Sequence, residues 1–164
     1  VKLPVIGEFT ETDSPIVEIG SAIGGSTLLM AAATDAGQGC GPEIWSVDPD
    51  APTRHVMRVL FEVEGYAGRL RQIVKTSNQA IVDLAGLRGR VGLVFIDGLH
   101  TEAAVSNDFA NYAELVRPGG CIAFHDVDAR FAGIFRVVAE CVAADHRFRP
   151  LCMVDTIAAF ERLG

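Results

Sequence analysis

The stretch VGLVFIDGLHTEAAV, residues 91–105, changes its period halfway through. From Val91 to Ile96 it is almost continuously apolar, as a strand buried on both faces must be. Beyond Asp97 and Gly98 the spacing becomes helical: Val105, Phe109, Tyr112 and Val116 recur on one face, and Thr101 stands where an N-cap belongs. An apolar strand that runs straight into an amphipathic helix is half of a crossover between parallel strands. Two polar side chains, Asp97 and His100, sit at the seam.

The same alternation extends to both sides. Upstream, PIVEIG (15–20) reads as a strand broken by SAIGG, with a helix over 26–36. EIWSVDP (43–49) is a second strand, followed by a helix over 52–64, and LRQIVK (70–75) is a third, followed by a short helix near 79–85. Downstream, RPGG is predicted to end the helix begun at Thr101, and CIAFHDV (121–127) to form a fifth strand. Ile134, Val137, Val138, Cys141 and Val142 mark another helix, and FRPLCMV with TIAAFERL a terminal hairpin. The pattern predicts an α/β three-layer sandwich around a mostly parallel sheet. No linker, repeat or biased tract divides the chain, so 1–164 is expected to be a single domain.

Composition narrows the function. At 164 residues and 49% hydrophobic content the chain can bury a core without metals or disulfides. A net charge of −7 argues against broad binding to nucleic acid or to an anionic membrane. No apolar run is long enough to span a bilayer, and VKLPVIGEFTET lacks the apolar centre of a signal peptide. The four cysteines, Cys40, Cys121, Cys141 and Cys152, show no CxxC spacing, and three of them lie in apolar runs that suggest burial. The expectation is a soluble, cytoplasmic protein with reduced thiols.

In open α/β sheets, ligands bind beyond the carboxyl ends of the strands. Polar residues gather at those ends: Glu18 and Gly20, Asp48, Thr76 and Ser77, Asp97, and His125 with Asp126. The turn Gly20–Ser26 has glycines for a tight bend, but Ala22 takes the place of the second glycine of G-x-G-x-x-G, where a dinucleotide's pyrophosphate needs the backbone. Glu18 would repel a phosphate and attract an ammonium group. The loop therefore suits a cationic or zwitterionic nucleoside, which disfavours the rival reading of an NAD-dependent oxidoreductase. Asp48, ending the second strand, is placed to take ribose hydroxyls.

Adjacent parallel strands lie about 4.8 Å apart, so Asp97, His125 and Asp126 are predicted to converge on one divalent ion. Carboxylates suit Mg²⁺, and an imidazole shifts preference toward Mn²⁺, Fe²⁺ or Zn²⁺. Asp128 is a substitute oxygen donor. His100, at the mouth of the same cleft, is the candidate general base. His55 is expected to be solvated, His146 to lie in a helix-exit loop, and Lys75 on the surface. No G-x-S-x-G or P-loop pattern is present.

Together, VEIGSAIGGSTLLMA, WSVDPD, VGLVFIDGLHTEAAVSNDF and LVRPGGCIAFHDVD resemble class I S-adenosylmethionine-dependent methyltransferases. Within that class the chain is most similar to the metal-dependent O-methyltransferases of small molecules, which include sugar and catechol enzymes. The resemblance implies a seven-stranded Rossmann-like sheet with the last strand antiparallel. It implies that Glu18, Gly20 and Ser26 surround the methionine part of the cofactor, that Asp48 takes the ribose, and that Ser77 lies near the adenine and Asp97 near the methionine end. His100 matches the base of the sugar enzymes' D-x-x-H, whereas His125 departs from the acidic residue expected there. The expected cofactors are S-adenosylmethionine and a divalent metal, magnesium or manganese. The expected partner is a small hydroxylated acceptor, with no nucleic acid and no membrane, and a homo-oligomer is compatible with the sequence. Members of this branch carry N-terminal helices over the acceptor. With only about 14 residues before the first strand, the expectation is that the site is open, that a partner subunit completes it, or that a lid has been lost. The rival from another class is a non-catalytic module that binds the cofactor without turnover.

Overall fold

The computed structural model describes residues 13–164. The segment VKLPVIGEFTET, read above for targeting signals, lies outside the described residues. Seven strands form one sheet: β1 (Ile16–Ile19), β2 (Ile44–Val47), β3 (Leu70–Ile73), β4 (Val91–Ile96), β5 (Val116–Phe124), β6 (Phe148–Val154) and β7 (Ile157–Arg162). Their order is β3-β2-β1-β4-β5-β7-β6. The pairings from β3 through to β5 are all parallel, and β7 runs antiparallel to both β5 and β6. The expected mostly parallel sheet with an antiparallel last strand is therefore present. Because the chain goes left from β1 to β3 and then returns to β4, the switch point lies between β1 and β4, where the loops diverge and leave a crevice.

The helices are α1 (Gly25–Ala33), α2 (Ala51–Val63), α3 (Ser77–Ala80), α4 (Glu102–Tyr112) and α5 (Ala132–Val137), the last continued by a wider turn over Val138–Val142. Alternate residues of each strand face opposite layers. Val17, Ile19, Val94, Ile96, Ile122 and Phe124 pack with Phe109, Tyr112 and Ile134 of the helices on one side. Ile16, Ile44, Leu93 and Phe95 pack with Met30, Met57 and Phe61 on the other. Glu18 lies in register with Ser46 and Phe95, so it points into this second layer, beneath α1.

Several boundaries differ from the sequence reading. The first helix ends at Ala33, and the segment after β3 is a single turn at 77–80, then a 3₁₀ turn at Ala85–Leu87. RPGG does not end α4, which closes at Tyr112 and passes through a 3₁₀ turn, Ala113–Leu115. Val116 opens β5, and RPGG is a bulge inside that strand, between the pairs Val91↔Val116 and Leu93↔Cys121. Pro118 gives no ladder donor, and Gly119 at φ +73 takes a conformation that other residues rarely adopt. Residues that usually close an element here let a longer strand bend. Cys141, expected to be buried, is exposed along with Cys40, and only Cys121 is fully buried.

Candidate functional site

Gly20 follows β1 at φ +83, and a Cβ there would lie 2.1 Å from the carbonyl oxygen of Asp97 and 2.7 Å from Cα of Gly98. Only glycine lets the first loop rest on the end of β4. That contact brings the two polar clusters to one crevice at the switch point.

The first cluster is built around the β1–α1 loop. Ala22 adopts φ 44, and its N–H donates to Asp48 Oδ2 at 2.8 Å. The other Asp48 oxygen accepts from the Asp50 amide at 2.8 Å, so two backbone donors orient that carboxylate while its remaining lone pairs stay available. Beneath the loop the hydroxyls of Ser21 and Ser46 share a hydrogen bond of 2.6 Å. The Glu18 side chain has no exposed surface. Its Oε1 accepts from Ser26 Oγ and its Oε2 from Thr27 Oγ1. Burial pushes the carboxyl up to about 7; the two hydroxyl bonds pull it down, and the Asp97 and Asp48 charges push it further up. Glu18, expected near the methionine part of a cofactor, is thus wholly buried, and its partner Ser26 is half-buried at the first turn of α1.

The second cluster stands at the ends of β4 and β5. Asp97 Oδ1 lies 3.2 Å from His125 Nδ1 and 3.7 Å from His100 Nε2. Asp126 spans the same pair of imidazoles, with Oδ1 3.4 Å from His125 Nδ1 and Oδ2 3.0 Å from His100 Nε2. Its backbone is left-handed, at φ 56, a conformation that aspartate tolerates better than most residues. Burial raises the Asp97 carboxyl; Asp126 adds to that shift, and the imidazoles of His125 and His100 oppose it. Phe131 stacks on the His100 ring, with centroids 4.6 Å apart and planes at 29°.

The structure thus gathers all four residues, though not in the grouping expected. Ligand atoms of Asp97, His100 and Asp126 all lie within 4.8 Å of one another, so His100 stands in the compact triad where His125 was predicted. His125 Nδ1 is buried with no hydrogen-bond partner, since its approaches to the two carboxylates lack hydrogen-bond geometry. A cation between the carboxylates would satisfy that nitrogen. Two carboxylates with two imidazoles fit a first-row ion such as Mn²⁺ better than the all-oxygen shell that Mg²⁺ prefers.

The remaining residues named from the sequence have partners of their own or are exposed. Ser77 opens α3; its hydroxyl bonds to buried Asp108 and its carbonyl accepts from Tyr112 Oη at 2.8 Å. Asp128, offered as a spare donor, is bound to Arg130, with Arg130 Nε at 2.8 Å. Lys75 pairs with Asp83 at 2.6 Å, and His55 and His146 are exposed. Thr27 and Phe131 were missed. Thr27 could have been suspected from its place beside Ser26 on a helix laid over Glu18, but no local pattern marks Phe131 as the neighbour of a histidine in another loop.

A family model described as a methyltransferase domain matches residues 17–127, which contain both clusters. Among solved structures, a protein from Corynebacterium glutamicum aligns with a TM-score of 0.79 at 15% identity, over 98% of this chain and 78% of that one. The O-methyltransferase TomG from Streptomyces achromogenes, involved in tomaymycin synthesis and solved with S-adenosylmethionine, aligns at 0.74 and 19% identity, over 93% of this chain and 74% of that one. An O-methyltransferase from Bacillus cereus, solved with S-adenosylhomocysteine, aligns at 0.72 and 21%, over 91% and 74%. At these identities the likeness establishes a shared fold.

Proposed function

The chain belongs to the methyltransferase-domain family, and from that membership we propose that it moves the methyl group of S-adenosylmethionine to a hydroxyl of a small molecule, assisted by a divalent cation. One observation carries the reading: Gly20 rests on Asp97, so a loop suited to a zwitterionic nucleoside and a cluster suited to activating a hydroxyl share one crevice. Asp48 is held by two amides in a pose that can accept ribose hydroxyls. Neighbours solved with the cofactor or its demethylated product support the same assignment.

Asp97, Asp126 and His125 would hold the cation. When bound, it makes a hydroxyl in contact with it more acidic. His100 takes the acceptor's proton on Nε2, where Asp126 Oδ2 at 3.0 Å stabilises the imidazolium. The acceptor oxygen forms its bond to the methyl carbon, the carbon–sulfur bond breaks, and its electron pair stays on sulfur. Holding oxygen, methyl and sulfur in line supplies much of the rate.

The test is transfer of labelled methyl from S-adenosylmethionine across a panel of phenols, catechols and sugars, with and without Mn²⁺ or Mg²⁺. Tight calorimetric binding of NAD with none of S-adenosylmethionine would overturn the reading. Cofactor binding without transfer to any acceptor would point to the non-catalytic module. The compact grouping of Asp97, His100 and Asp126 favours a second role for His100, as a ligand. If His100→Ala loses Mn²⁺ affinity it is a ligand; if it keeps that affinity and loses turnover it is the base.

A further inference from the structure

We propose that the outer face of α2 is a self-association surface, on which a second copy of this chain lays its own α2 antiparallel about a twofold axis. The proposal is independent of what the crevice binds.

Helix α2 keeps Met57 and Phe61 inside. Val56, Val59 and Val63 recur at the i, i+3, i+7 spacing that puts three side chains on one helix face, and they are 45%, 42% and 76% exposed. Helix α1 starts against α2, since a Cβ at Gly24 would lie 2.7 Å from Met57 Cγ. It turns Leu29, 65% exposed, away from its own buried residues Thr27, Met30 and Ala31. Single exposed aliphatic residues are normal on a protein surface, but a strip of them with a polar rim marks an interaction surface.

The charges on the rim select the partner. Along α2 the basic residues Arg54, His55 and Arg58 come first, and the acidic Glu62 and Glu64 follow. Arg58 and Glu62 flank the strip on one side, both more than half exposed, with Arg58 Nε 3.4 Å from Glu62 Oε1. A second α2 laid parallel would set like charge against like. Laid antiparallel, with the axis at residues 59–60, Val59 meets its own mate, Val56 meets Val63, and Arg58 meets Glu62. The midpoint of Val56 and Val63 and the midpoint of Arg58 and Glu62 nearly coincide along the helix, so one axis serves the apolar and the ionic pairings together. An isologous dimer requires that self-complementarity, and a foreign partner does not. Exposed ion pairs add little affinity, but they fix register and orientation. The strip is smaller than the roughly 800 Å² per partner of a standard interface, so the dimer is expected to be weak, with Kd about 10–100 µM.

Sedimentation equilibrium on the whole chain, between about 5 and 500 µM, reads this association directly. The wild-type chain is expected to pass from monomer to dimer over that range. Val59→Lys sets two like charges on the axis and should leave monomer alone. Arg58→Glu gives each helix a row of carboxylates, and Glu62→Arg a row of guanidiniums. Each is expected to weaken self-association about 10-fold or more. Mixed in equal amounts, these two variants should form a one-to-one dimer at least as tightly as the wild type, because every charge then faces its opposite. That recovery separates a lost interface from a damaged fold. A wild-type chain that stays monomeric throughout overturns the proposal. So does undiminished dimerisation of any of the three variants, and so does a mixture of the two charge variants that remains monomeric.

Discussion

Glu18 pays for its place under α1 with a pH signature. Burial, the largest cause, lifts its carboxyl from an ordinary 4.5 to about 7. Between those values the folded chain holds a proton that the unfolded chain has released, so stability falls as pH rises through that window and levels off above 7. The full difference is on the order of 3 kcal/mol. Glu18→Gln should flatten the slope of Tm against pH between 5 and 7; parallel slopes for the two chains would refute the assignment. His100 makes a different prediction. Its side chain is 38% exposed and faces both Asp97 and Asp126. His100→Ala should lower turnover by roughly 10²- to 10⁴-fold if it is the base, with the calorimetric affinity for S-adenosylhomocysteine nearly unchanged. A variant that turns over at the wild-type rate takes His100 out of the chemistry.

Among the elements, what local pattern controls could be read in advance. The apolar run Val91–Ile96 is wholly buried, as a central parallel strand must be, and Thr101 caps α4 by accepting from the Ala104 amide at 3.3 Å. Strand ends were legible because the sheet puts each of them on one edge, whatever the loop that follows. RPGG was misread because Pro and Gly signal a break in pairing without saying whether the strand resumes. Here it does resume. Gly120 is pinned in the bulge, where a Cβ would lie 2.9 Å from Val91 O and 2.9 Å from Val116 Cγ1. Gly120→Ala should therefore cost roughly 1–3 kcal/mol, as overpacking does, measured by urea denaturation; no loss would mean that the bulge yields freely. At the site, Asp97, Asp126 and both histidines were legible as polar residues at strand ends. The partition between them was not, since Phe131 against His100, the left-handed turn at Asp126 and the sealing of Glu18 by Thr27 arise only when separate elements pack.

For the whole molecule, the expectation of free thiols can be tested from topology. Cys121 on β5 and Cys152 on β6 are separated by β7. Two strand spacings, with an offset of two residues along β7, put their Cα atoms more than about 9 Å apart, beyond the reach of a disulfide. Cys40 and Cys141 are exposed on separate elements, whereas Cys121 is buried with its thiol pushed up to about 12, first by that burial. Iodoacetamide under native conditions should label Cys40 and Cys141 and spare Cys121, as read by peptide mass spectrometry. Rapid labelling of Cys121 would show that the β5–β7 layer opens. Among the described residues no helix is long and apolar enough to cross a membrane.

The sheet's polarity has a practical side. Its carboxyl edge holds Ser26, Asp48, Asp97, His100 and Asp126, while the opposite edge holds the turn at Arg88–Arg90 and the RPGG bulge, remote from them along β4 and β5. Arg88 is exposed, so Arg88→Cys, in a chain whose own exposed thiols are removed by Cys40→Ser and Cys141→Ser, gives a handle for attaching the chain to a sensor chip or a bead. Anchored by that edge, every copy would stand with its crevice toward the bulk solution, whereas random coupling would leave a share of the copies face down.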